Sequence, residues 1–145
     1  MAASLRNVLA VLGGILSGAV VVGLIQAINS RLYPLPANFD LQNAGMVRQY
    51  TAALPVQAFL IVLLSYAVGF PLAVFITTRL AVTNPAQKGV ITAAFFGAAS
   101  VMNLMALPHP VWFWIVNFAV LLFAAWFGVR AGLTGHPVNP APDTT

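Results

Sequence analysis

Charge is what this chain has least of. Six Lys or Arg and two Asp or Glu are spread over 145 residues, 6% of the whole, where a soluble domain carries about 25%. So little charge cannot cover a protein surface in water, and lipid must cover it instead. The net charge of +4 and the pI near 10.4 follow from the scarcity of acids, not from a basic patch, so no nucleic-acid partner is expected. Cysteine is absent, which excludes disulfides, thiolate metal sites, c-type haem attachment and Cys-based redox or lipid chemistry. No charged residue lies between Gln49 and Thr78, nor between Lys88 and Arg130. Proton-coupled transport needs a membrane-embedded carboxylate or histidine, and no apolar span in these runs contains either, His109 falling in the turn between two of them. Asp40, Asp143, His109 and His136 are too scattered for a metal site or an acid–base pair. Ser17, Ser65 and Ser100 have no base beside them, and the glycines fall inside apolar runs rather than in a phosphate loop. The expectation is a protein that is not an enzyme and carries no metal or cofactor.

Long apolar runs are what the chain does have: 61% of residues are apolar and mean hydropathy is +0.94. A helix rises about 1.5 Å per residue and a bilayer core is about 30 Å thick, so about 20 apolar residues suffice to cross. Four runs qualify, at about 8–28, 54–79, 89–107 and 111–132. They predict an all-α integral membrane bundle of four transmembrane helices in one domain, 1–132, with a disordered tail at 133–145. The first run is longer than the apolar core of a cleaved signal peptide, about 7–15 residues, and lacks a small-x-small site after it, so it is expected to stay. The connection from Ser30 to Ala53 is the longest. Its Tyr33-Pro34-Leu35-Pro36 cannot continue a helix. Asp40 stands at an N-cap position ahead of a stretch in which Met46, Val47, Tyr50 and Leu54 recur at helical spacing. That stretch is either a short surface helix or the start of the second span. Pro71 inside the second span predicts a kink, as a static bend or as a hinge.

Four spans put both termini on one side, with Arg6, Arg79, Lys88 and Arg130 there and Arg31 and Arg48 opposite. The positive-inside rule then favours cytoplasmic termini in a cell inner (plasma) membrane. Within lipid, helices associate through close backbone approach and interhelical hydrogen bonds. Small residues four apart supply the first, with Gly14 and Gly18, Gly97 and Gly128 the expected packing glycines. Amides supply the second. Gln26, Gln57, Asn103 and Asn117 fall near the same end of their four spans. They form either a hydrogen-bonded packing layer or the floor of a small polar pocket shared with Tyr33, Tyr66 or His109. Lone His109, between two prolines, reads as a turn residue or as a ligand.

Tyr33-Pro34-Leu35-Pro36, Leu54-Pro55 and Leu107-Pro108-His109-Pro110-Val111-Trp112-Phe113 together resemble a group of small four-span bacterial membrane proteins. These have a Tyr-Pro-x-Pro segment after the first helix and a Pro-His-Pro-x-Trp hairpin between the last two. The resemblance covers nearly the whole chain except the tail and implies fold and cellular context, not an activity. Many members of that group carry a glutamate and a histidine near the end of the first helix, where this chain has Gln26 and Ser30. A proton or metal role there is therefore not expected to carry over. The functional expectation is an accessory or structural subunit that associates with other membrane proteins or with itself. The alternative is a small oligomeric transporter or channel built around the amide layer.

Overall fold

A computed structural model describes residues 2–134, and these form an all-helical bundle. Its helices are α1 (Ala3–Leu32), α2 (Ala44–Ala53), α3 (Val56–Leu80), α4 (Pro85–Ala106) and α5 (Val111–Leu133). All but α2 are long and apolar enough to cross a membrane. Of the expected tail, Leu133 still belongs to α5, and 135–145 lie outside the described residues.

Proline sets most of the boundaries. α1 runs through Asn29 and Arg31 and stops only at Tyr33, ahead of Pro34, so it is longer at both ends than its apolar run. α2 is a helix of its own, separated from α3 by Leu54-Pro55. Asn43, not Asp40, caps it: the Asn43 side chain accepts from the backbone N–H groups of Gly45 at 3.0 Å and Met46 at 3.2 Å. Asp40 lies one turn too early and accepts from Gln42 N–H at 2.9 Å, closing a tight turn beyond Asn38, whose φ is 60°. Asn84, with φ 48°, turns the chain into Pro85 at the start of α4, where a missing N–H costs nothing. Pro71 lies inside α3 without ending it and is buried.

α3 is the centre of the bundle. Twelve of its 25 residues are buried, against four of the 30 in α1, and it packs on α1, α4 and α5. α1 and α5 flank it on separate sides without touching one another. Glycine permits close approach on both sides of α3. A Cβ on Gly18 would lie 2.6 Å from the Ala73 Cβ and 2.8 Å from the Gly69 carbonyl, and one on Gly128 would lie 2.6 Å from the Val74 Cβ and 2.9 Å from the Pro71 carbonyl. Gly14 is seated just as tightly, against Thr77 and the Ala73 carbonyl. Gly97 is different: nothing lies within 4 Å of where its Cβ would be, so it is no packing glycine within this fold. The contact stripe of α4 runs instead through Thr92, Phe96, Ser100 and Leu104.

Hydroxyls tie the helices at depth. Thr77 donates to the Ala10 carbonyl at 3.3 Å and pairs with Thr92 at 2.9 Å, joining α1, α3 and α4. At the terminal end, Asn7 accepts from the N–H groups of Val82 and Thr83 and donates to the Thr83 hydroxyl. Arg79 donates to the Thr134 carbonyl at 2.8 Å. The start of α1, the α3–α4 turn and the end of α5 therefore share one end of the bundle.

Candidate functional site

At the opposite end, α1 finishes, α3 begins and the α4–α5 hairpin turns at His109. Here the end of α1 carries polar residues. Gln26 and Asn29 near the end of α1 and Tyr33 just after it recur at helical spacing, and all three line a cavity of about 470 Å³. α2 and the segment before it close the cavity with Phe39, Val47, Tyr50 and Thr51, α3 adds Ala58, Phe59 and Val62, and α4 with its turn adds Asn103, Leu107 and His109. Tyr50 fastens α2 over it, donating its hydroxyl to the Tyr33 carbonyl at 2.8 Å and meeting the Phe39 ring edge-on at 5.3 Å. Small-molecule sites are concave, mostly apolar and supplied with a few convergent polar groups, at about 300–1,000 Å³. This cavity has that character.

The four amides of the expected layer do not form one layer. Gln26 and Asn103 line the cavity. Gln26 makes no hydrogen bond to the described protein, whereas Asn103 donates to the Tyr66 hydroxyl at 3.1 Å. Asn117 is fully buried between helices, accepting from the Ser100 hydroxyl at 2.8 Å, and does not line the cavity. Gln57 is exposed on the face of α3 that also carries Leu60 and Leu64. Rotation of α3 decides this: with Ala58 and Phe59 turned inward, Gln57 must face out. Thus packing and pocket readings each describe part of the set.

His109 joins the cavity through the hairpin. Its Nδ1 lies 2.8 Å from the Leu107 carbonyl and therefore carries the proton. The ring stacks on Phe113 at 4.5 Å and meets Phe59 edge-on at 5.9 Å. Burial pulls its pKa below the usual histidine value, with hydrogen bonds to the Leu107 and Leu104 carbonyls opposing the shift in part.

Asn29 is the cavity residue that sequence reasoning passes over. Its Nδ2 donates to the Ala58 carbonyl at 3.2 Å, which fixes the orientation of the amide, and its Oδ1 is buried with no partner. A signal for it existed in the spacing of Gln26, Asn29 and Tyr33, three polar residues on one face near the end of an apolar helix. Among the described residues no three His, Cys, Asp or Glu come together. Comparison of the chain with protein-family models, with curated proteins and with solved structures finds no match in any of the three.

Proposed function

We propose that this chain is a non-enzymatic multi-pass membrane protein, an accessory subunit whose own task is to hold a small lipid-soluble molecule. The cavity under α2 carries this reading. It joins apolar walls to a few polar groups at one end of the bundle, and its lining offers no acid–base pair to do chemistry on what it holds. Holding is better supported than conduction. Tyr66 stacks on Phe70 and Phe70 meets Phe96 at a tilt, both at 4.6 Å, and these rings belong to the apolar core of the bundle rather than to a polar passage. Association with other subunits would use faces other than those of Gly14, Gly18 and Gly128, which are spent inside the fold, whereas Gly97 is left open.

The test is to purify the full chain in mild detergent and identify what travels with it. Extraction and mass spectrometry should find one class of small molecule with the wild type. Gly23→Leu should lose it: Gly23 lines the cavity, and no atom lies within 4 Å of its Cβ position, so a larger side chain has room to start into the space. Equal small-molecule content in both proteins would overturn the binding reading. Native electrophoresis of the same sample addresses the accessory role, which predicts a band containing a second kind of subunit. A homo-oligomer alone would favour the transporter alternative.

A further inference from the structure

We infer that the cavity is built for an uncharged lipid alcohol, a molecule with a free hydroxyl at its head and an apolar tail. The inference rests on the binding reading above and adds the chemical class. It follows from counting protons. Ser30, Thr51 and Tyr50 line the cavity, yet each has already given its hydroxyl proton to a backbone carbonyl: Ser30 to Ala27, Thr51 to Val47 and Tyr50 to Tyr33. Only lone pairs remain on those three oxygens. Asn29 Oδ1 is a fourth acceptor, buried and unpartnered, and its amide cannot flip without breaking the bond to the Ala58 carbonyl. These four oxygens accept, while Tyr33, whose side-chain hydroxyl has no partner among the described residues, can donate, so the head group that suits the cavity both gives and receives a hydrogen bond. Gln26, which is free to turn either end of its amide inward, can serve an oxygen of the same head group.

Charge then narrows the donor. An ammonium head would also donate, but no carboxylate lines the cavity, and a buried cation without one is costly. A phosphate head would bring negative charge with no Arg or Lys lining the cavity to receive it, and no proton for the four acceptors. A neutral hydroxyl fits both constraints. Leu35, Val47, Leu54, Phe59 and Val62 supply the apolar wall against which a tail would lie.

The experiment uses the full chain in nanodiscs and three probes of matched tail length: monopalmitoylglycerol, the same molecule with both hydroxyls capped as methyl ethers, and hexadecylamine. Retention is read by native mass spectrometry. The wild type should retain monopalmitoylglycerol about tenfold better than the capped ether, since an unsatisfied buried acceptor costs about 1–3 kcal/mol and each 1.4 kcal/mol is tenfold. Asn29→Leu should bring the two close to equal by weakening only the hydroxyl probe, while Gly23→Leu should weaken both. The capped ether or hexadecylamine retained as well as the free alcohol by the wild type would overturn the hydroxyl assignment and leave the binding site standing. Wild-type retention of all three no better than that of Gly23→Leu would remove the site itself. The probe comparison on the wild type decides the class even if Asn29→Leu fails to fold.

Discussion

Small differences of position separate residues that look alike in the sequence, and glycine shows this best. Gly18 and Gly97 each sit in a ladder of small residues four apart, yet only Gly18 is pressed against a neighbouring backbone. The reason lies in α4, whose inward stripe runs through Thr92, Phe96 and Ser100. Gly97 stands one residue along from Phe96, and one residue turns a helix by about 100°. Spacing alone identifies a stripe but not which of two adjacent stripes faces the bundle. Gly18→Ala should lower stability by about 1–3 kcal/mol, because the new methyl meets the Gly69 carbonyl, a backbone atom that cannot step aside. Gly97→Ala should stay within about 0.5 kcal/mol of wild type. Unfolding of the purified variants by a denaturing detergent measures both, and equal losses would mean that α4 is rotated from the arrangement described. The amides obey the same logic. Gln57 and Ala58 differ by one position, and packing of the large Phe59 and Leu63 side chains fixes which of them turns inward. No property of Gln57 itself could have revealed that.

At the scale of elements, much more is legible. A span announces itself by summed hydropathy, and a break by proline, so all four spanning helices and their order follow from composition and Pro34, Pro55, Pro85, Pro108 and Pro110. Ends without proline are less legible. α1 extends to Ala3 because Arg6 and Asn7 are tolerated in a helix even though they leave the apolar run, and Asn7 has partners in the α3–α4 turn. The capping error at α2 has a local cause: Asn38, Asp40 and Asn43 are all able to cap, and the winner depends on the left-handed turn at Asn38 that sets the chain's direction. Because α2 is anchored chiefly by that cap, by Tyr50 and by a few buried side chains, it is the element most open to perturbation. Removing the cap with Asn43→Ala should cost about 1 kcal/mol of local stability. Amide hydrogen exchange should then quicken across 44–53 with the spans unchanged. Equal quickening in α3 would show that α2 does not open as an independent unit.

The molecule as a whole is polar at its two ends for different reasons, and this asymmetry bears on how it sits in a membrane. The terminal end joins α1, the α3–α4 turn and the end of α5 through Asn7 and Arg79, and it carries Arg6, Arg79, Lys88 and Arg130. The cavity end has Arg31 and Arg48 with Asp40, so its cationic excess is smaller. If the terminal end faces the cytoplasm, as the positive-inside rule favours, the cavity opens toward the outer leaflet and α2 lies along the outer surface. The chain's lack of cysteine makes this simple to test. Ala37→Cys and Gln87→Cys each place a single thiol at an exposed position, one at either end. A membrane-impermeant maleimide should label Ala37→Cys in intact cells and Gln87→Cys only after permeabilisation. The reverse pattern would turn the bundle over and make the cavity a receiver of molecules from the cytoplasmic leaflet. Equal labelling at both positions would mean that a four-to-two excess of basic residues is too small to fix one orientation, and the cavity would then sample both leaflets.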